Sequence, residues 1–457
     1  MIRLRKYGYI LSTLFASLLM FTTGAQASAP VQPNGTKTPI QHLIVLMQEN
    51  HTFDNYFGTY PGVDGLPAGT CMPVDPTNPS NTNCVKPFHI GDLPITDLDH
   101  SLATFQLQFA SGKMNGFVYA QNQRNIDGKI AMGYYDGSDI PYYWNLADEY
   151  VLFDRFFSSD HSGSPENHMF WVTAQSGSNR IATKGYGNDV QTIFDELQAS
   201  GVSWKFYVEN YDPKINYRTV GNVTGNRESQ VIWVPLLNFD RFIDNPTYAS
   251  HIVDLNQYYT DLQNGTLPAV AYIAPSGASE HPPGSIRSGE KFVKALVQAL
   301  LRSDAWSSSA FVLAYDDWGG WYDHVKPPQV DQNGYGFRVP VLLISAYARR
   351  GYVDHTQLDF TSILKFIEDN WSVAPLTQRD ANANSLVSAF DFSSPPRAPF
   401  YIPLARQTSQ LATEPRRVVI YGFYGAALLI AALVFGRAIV QDVRAASKTV
   451  SDSSSQS

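Results

Sequence analysis

Cysteine is nearly absent: Cys71 and Cys84 are the only two in 457 residues. Neither a Cys-rich disulfide scaffold nor a four-thiolate zinc site can be built from so few sulfurs. Charge is sparse too, at 16% of residues, with 33 Lys and Arg against 41 Asp and Glu and a formal net charge of −8. That balance argues against a nucleic-acid surface, which needs many phosphate contacts. Internal repeats and charge blocks are missing from the body of the chain, and so is the G-x-S-x-G turn that presents the nucleophile of ordinary acyl hydrolases. Apolar residues are plentiful, at 44%. They suffice for a sizeable core in one large α/β domain or two ordinary ones. The 26 Tyr and 8 Trp read as core and loop surface rather than as a carbohydrate or choline platform.

Both ends have their own character. Arg3, Arg5 and Lys6 precede an apolar stretch from Ile10 to Phe21, and Ala25-Gln26-Ala27 follows as a small-residue cleavage site. Residues 1–27 read as a secretory signal peptide, whose removal would lower the formal charge by a further three. At the other end, Val418 to Gly436 is 19 residues without a charge, between Arg416-Arg417 and Arg437. At about 1.5 Å per residue it covers roughly 28 Å, close to the hydrocarbon thickness of a bilayer. Residues 416–437 are expected to form a transmembrane helix and 438–457 a short cytoplasmic tail, since Arg437, Arg444 and Lys448 follow the span. The body would then be exported and held at the membrane, periplasmic or on the cell surface. In that setting Cys71 and Cys84, in the Pro/Asn/Thr-rich segment CMPVDPTNPSNTNC, are expected to pair as a disulfide.

Between the ends, apolar runs at Leu43–Met47, Trp204–Val208, Ala269–Ala274, Ala310–Tyr315 and Val339–Ala346 read as strands. Lys291–Leu301 and Thr361–Asn370 carry apolar residues at helical spacing. This alternation predicts an α/β fold, a mostly parallel central sheet sandwiched by helices, over residues 38–375. Residues 376–415, rich in Ser, Pro, Asn and Gln, read as a linker. In such a sheet, ligands bind beyond the carboxyl ends of the strands. There Leu43–Met47 leads to Glu49-Asn50, Ala269–Ala274 to Ser279-Glu280-His281, and Ala310–Tyr315 to Asp316-Asp317.

Adjacent carboxylates in a dry pocket repel one another unless a cation neutralises them. Glu49, Asn50, Asp316 and Asp317 therefore read as oxygen ligands of a divalent metal ion. Such a set favours calcium, magnesium or manganese and leaves zinc open. An isolated acidic pair is more often a strand-end cap, and the metal reading rests on similar groups ending separate strands. Ser164, between Gly163 and Pro165, is either a turn residue or a metal-activated nucleophile on this pattern alone.

The motifs QENHTFDNYFGTYPGV, GSPENHMF, EHPP, ALLRSDAWSSSAFVLAYDDWGGWYDHVKPP and TSILKFIEDNW resemble, in order, those of the phosphoesterase family. That family holds bacterial and plant phospholipases C and certain bacterial acid phosphatases, and is similar to the alkaline phosphatase superfamily. The resemblance implies an alkaline phosphatase-like fold and a metal held by Glu49, Asn50, Ser164, Asp316 and Asp317. It makes Ser164 the nucleophile, with Asn167 and His168 accompanying it. His281 would stand near the leaving group or phosphate and His100 on the phosphate side. For His324 the favoured role is a supporting hydrogen bond to a carboxylate, orienting the Gly319-Gly320 turn, over direct ligation.

Three departures bear on substrate. His51-Thr52 replaces the usual Arg or His with Ser, Glu166 replaces a Pro, and Asp317 stands where phospholipase-like members more often carry Glu. The expected activity is metal-dependent hydrolysis of phosphate esters through a phosphoserine. Phospholipase C-type cleavage of a phospholipid comes first and a nonspecific acid phosphatase acting on small monoesters second. A catalytically degenerate, anchored binding module is the alternative of another class. Sulfuryl transfer is disfavoured because no Cys-x-Pro-x-Arg signature occurs near a strand end.

Overall fold

The computed structural model describes residues 35–176, 185, 190–223 and 229–406. The expected signal peptide, transmembrane helix and tail lie outside these residues. Among the described residues, no helix is long and apolar enough to cross a membrane.

Eight strands build the central sheet: β1 (His42–Gln48), β2 (Val151–Phe153), β3 (Trp204–Val208), β4 (Ile252–Asp254), β5 (Val270–Ala274), β6 (Ser309–Tyr315), β7 (Val341–Ser345) and β8 (Tyr352–Asp354). Their order across the sheet is β8-β2-β7-β6-β1-β5-β3-β4. Five of the seven pairings are parallel, so the sheet is mostly parallel; only β7 opposes its neighbours β6 and β2. β1 lies at the centre and is apolar at every position from Leu43 to Met47, each at most 1% exposed. A strand covered on both faces shows that continuous pattern.

The helices that matter here are α1 (Phe53–Phe57), α2 (Leu102–Phe109), α3 (Pro141–Glu149), α4 (Ser164–Thr173), α5 (Asn256–Asn264), α6 (Ile286–Arg302) and α7 (Phe360–Trp371). Phe206 of β3 pairs with Tyr272 of β5, so both point to one face. Trp171 of α4 packs there, 4.4 Å from the Tyr272 ring. The next residue, Tyr207, points to the other face and meets Tyr258 of α5, whose hydroxyl donates to the Leu296 carbonyl of α6. Helices thus cover both faces. In α6, Val293, Leu296, Val297, Leu300 and Leu301 are buried, the i, i+3, i+4 stripe that drives an amphipathic helix onto a sheet.

Two expectations need correction. The run Val339–Ala346 forms a shorter strand, and an antiparallel one. Of the linker expected over 376–415, residues 407–415 lie outside the described residues, and the stretch from 376 to 392 packs on the body while 393–401 is largely exposed. Asp380, Leu386 and Ala389 are fully buried, and Arg397 and Arg406 pair with Glu149 and Asp148 of the body. Polar composition misled here because Asp380 meets its hydrogen bonds locally, taking the backbone N–H groups of Leu376 and Thr377.

Candidate active site

β1 and β6 are neighbours in parallel register, with Gln48 opposite Tyr315. The next residues along each strand, Glu49-Asn50 and Asp316-Asp317, must therefore emerge side by side at the carboxyl edge. Asn50 adopts φ +76°, a left-handed conformation that Asn tolerates better than most residues. The turn after Asp317 comes so close that a Cβ on Gly319, itself at φ +56°, would lie 2.3 Å from the Asn50 carbonyl oxygen. Only glycine fits. Asp317 holds this turn by accepting the Gly319 N–H at 2.7 Å.

Ser164 opens α4 directly opposite. Its hydroxyl oxygen lies 3.2 Å from Glu49 Oε2, 3.1 Å from Asp317 Oδ2 and 3.4 Å from Asn50 Oδ1. Gly163 and Pro165 set the sharp entry into the helix, and the N-terminus of a helix favours developing negative charge. The sequence separates these groups by more than a hundred positions; the fold brings all of them together.

Burial pushes Glu49 and Asp317 each up to about 7. Asp316 is driven well above the usual carboxylate range, by burial first and then by Asp317 and Glu49. Three buried carboxyls that resist ionising call for a cation. One end of the Asn50 amide lies 3.1 Å from Glu49 Oε2 and 2.8 Å from Asp316 Oδ1, and the other lies 3.0 Å from His281 Nε2. With nitrogen toward the carboxylates the amide is satisfied without a metal. With oxygen there it joins the carboxylates as a further donor, the orientation a bound cation selects. Glu49, Asp316, Asp317, Asn50 and Ser164 can therefore hold a divalent metal, and the donor set fits one.

His168 reaches the same cluster, with Nε2 2.8 Å from Glu49 Oε1 and 3.7 Å from Asp316 Oδ2. Burial holds its imidazole down at about 4, hence neutral. Its Nδ1 has no partner, whereas a metal-bound histidine ordinarily donates its other N–H. The geometry is that of a donor that steadies Glu49.

His100 and His281 face each other across the cavity, ring centres 5.7 Å apart. Each donates Nδ1–H to a backbone carbonyl, of Leu98 and Pro282 respectively, and turns Nε2 toward Asn50. Burial pulls the His281 imidazole down, but Glu49 and Asp97 outweigh it and set it above its ordinary value.

Two predicted residues stand elsewhere. Asn167 accepts from the N–H groups of Ser159 and Asp160 and donates to the Ser162 and Gly163 carbonyls, so it braces the loop entering α4. His324 bonds Asp54 at 2.7 Å and Asp64 at 3.1 Å, beside the buried Arg338. It does hydrogen-bond carboxylates, but the Gly319-Gly320 turn is held by Asp317 and by Gln108, which donates to the Gly320 carbonyl. Cys71 and Cys84 form a disulfide, Cα atoms 5.3 Å apart.

Sequence reasoning missed Glu280. Its carboxylate is fully buried and accepts the hydroxyls of Tyr56, at 2.6 Å, Tyr315, at 2.7 Å, and Tyr143. Tyr56 follows Glu49-Asn50, Tyr315 precedes Asp316-Asp317, and Glu280 precedes His281. One carboxylate thus ties together three segments that build the site. The tyrosine excess was the available signal.

Above the site opens a cavity of about 1050 Å³, with Asp97, Asp99, Asp160 and Glu166 in its walls and Trp233 beside them. Residues 40–374 match the Phosphoesterase family. The chain belongs to that family. Its members hydrolyse phosphate esters, and the chain is a phosphoric ester hydrolase. Phospholipase C B of Mycobacterium tuberculosis is 28% identical over 79% of this chain and 80% of its own length. Non-specific phospholipase C6 of Arabidopsis thaliana is 27% identical over 88% of this chain and 82% of its own. Among solved structures, an alkaline phosphatase superfamily protein from Vibrio parahaemolyticus overlays at a TM-score of 0.36, with 11% identity, covering 80% of this chain and 75% of that one.

Proposed function

We propose that this phosphoesterase cleaves phospholipids in the manner of a phospholipase C, with Ser164 as nucleophile. The observation that carries the reading is the Ser164 hydroxyl at the helix terminus, within 3.2 Å of Glu49 and Asp317. A divalent cation bound among Glu49, Asn50, Asp316 and Asp317 would supply positive charge to the serine oxygen and to a nonbridging phosphate oxygen. Calcium, magnesium and manganese suit the oxygen-rich donors best, with zinc the remaining option.

The rest is done by the chain. The Ser164 proton passes to a neighbouring carboxylate, and Oγ bonds to phosphorus in line with the departing diacylglycerol oxygen. His281, held with Nε2 toward the site, donates the proton that the leaving oxygen takes up as its bond to phosphorus breaks. Water, giving a proton back to His281, then attacks phosphorus, the Oγ–P bond breaks as Oγ recovers its proton from the carboxylate, and the phosphorylated headgroup departs.

The cavity walls support a diester over a monoester. Among the described lining residues the acidic side chains are matched by no Lys or Arg, which disfavours the second negative charge of a monoester. The names of the relatives agree. A nonspecific acid phosphatase is the second reading, favoured by the Asp316-Asp317 pair. Comparing p-nitrophenyl phosphorylcholine with p-nitrophenyl phosphate separates the two; a faster monoester at every pH overturns the first. We place the enzyme outside the cytoplasm, anchored by residues 416–437, on the apolar run and the leader-like N-terminus. The alkaline phosphatase-like relationship belongs to the same proposal.

A further inference from the structure

Helix α2 carries no charged residue, and none occurs from Ser101 to Gly112. Its inner face is bolted to the site. Gln108 donates to the Gly320 carbonyl at 2.8 Å and accepts from Trp318 Nε1 at 2.7 Å, while Phe105 stacks on His161 at 4.5 Å. Its outer face presents Leu102, Ala103, Gln106 and Leu107 to solvent. Leu102 is 47% exposed and stands at the cavity mouth; Leu107 is 38% exposed. The segment 326–334 starts beside the helix end, with Lys326 Nζ 5.8 Å from the Phe109 ring, and finishes in the cavity wall at Gln332 and Asn333. Midway along it Val330, 43% exposed, lines a neighbouring cavity with Phe170 and Arg379. Lys113 and Lys326, both exposed, flank the C-terminal end of the helix.

We propose that the outer face of α2 docks on a lipid bilayer and seats the cavity mouth at the headgroup level. This rests on the phospholipase reading of the site. The uncharged outer face of α2 suits the acyl boundary, and the two lysines at its C-terminal end suit phosphate groups beside it. A protein partner would not need this surface to coincide with the mouth of the catalytic cavity. A bilayer substrate does, because each lipid must be drawn from the surface into that cavity. The rigid link from Gln108 to the Gly319-Gly320 turn fixes the distance between the docked face and Ser164.

The full chain and its L107D and Q106D/L107D variants are assayed on soluble p-nitrophenyl phosphorylcholine and on phosphatidylcholine vesicles. Turnover on vesicles should fall at least tenfold in the double variant, while kcat/KM on the soluble diester stays within about twofold. Equal effects on both substrates, or unchanged vesicle turnover, overturn the proposal. In a second measurement an environment-sensitive dye is attached at Leu107→Cys. Both natural cysteines are in the disulfide, so the label goes to one place. Its emission should shift to the blue with the vesicles, and a label at Val387→Cys, exposed on the packed C-terminal segment, should not shift. No shift at 107, or the same shift at both positions, refutes docking. A shift at 107 alone, in a protein that hydrolyses neither diester, upholds docking and removes the phospholipase reading.

Discussion

Replacing Glu280 by glutamine should damage both stability and catalysis, although Glu280 is not a ligand or nucleophile. The carboxylate accepts two tyrosine hydroxyls at Oε2 and one at Oε1. An amide of the same shape must turn its NH2 toward one of those hydroxyls, and the less damaging choice faces Tyr143. Burial pushes Glu280 up to about 7, so above that pH, where it is ionised, at least one charge-assisted hydrogen bond is lost, about 2 kcal/mol. With an unfolding entropy of about 2.1 cal/mol/K per residue over roughly 350 residues, that lowers Tm by ~3 °C. The larger effect is geometric. The loop bearing His281 is held by the Glu280 carboxylate and by Gln48, which accepts the Glu280 N–H at 3.1 Å. Slackening it moves the proton donor, and a displacement near 1 Å can reduce a rate by roughly 100-fold. We expect kcat to drop tenfold or more with KM little changed, read by thermal melting and steady-state kinetics on the same samples. Tyr143→Phe should show a smaller loss in both. A Glu280→Gln enzyme with unchanged Tm and kcat within twofold of wild type refutes the positioning role.

Three other outcomes are expected. Because Glu49 and Asp317 sit near 7 in the metal-free protein, a metal must displace protons, and its affinity should weaken roughly tenfold or more from pH 7 to pH 6; titration calorimetry in two buffers reads the released protons. The same raised values mean that folding takes up protons, so the metal-free protein should lose stability as pH rises from about 4.5 to about 7, and added metal should restore more of it at the upper end. A melting profile that rises with pH over that window contradicts this. Arg338→Met leaves Asp54 and Asp323 buried without their cation, 3.0 and 2.9 Å from the lost nitrogens, and should destabilise by roughly 3–5 kcal/mol in denaturant unfolding.

Much of the sheet and the centre of the site were legible because a parallel α/β sheet buries its apolar runs as strands and sets the polar residues just beyond each run along one shared edge. Glu49, Asn50, Asp316, Asp317 and His281 were found that way. Ser164 needed family motifs, since a serine between Gly and Pro looks like any turn. Strands β2, β4 and β8 escaped because three residues are too few to show a period. Asn167 was assigned beside the chemistry, yet its amide meets four backbone groups that only the folded loop brings together. Glu280 stood beside His281 in the polar run after Ala274 with no role of its own; its meaning lies in Tyr56, Tyr143 and Tyr315, and no local pattern links these residues. The packed stretch after residue 376 was hidden for a similar reason, with Leu386, Ala389 and Phe390 buried among polar neighbours.

The central claim is that Ser164 carries the phosphoryl group during turnover. Acid-quenching the metal-loaded enzyme within a turnover and sequencing its peptides by mass spectrometry should find a substrate-dependent phosphoryl adduct on Ser164, absent from Ser164→Ala, which should be inactive while still binding metal. An adduct on His100 or His281 instead, or a Ser164→Ala enzyme within tenfold of wild-type turnover, would contradict the account.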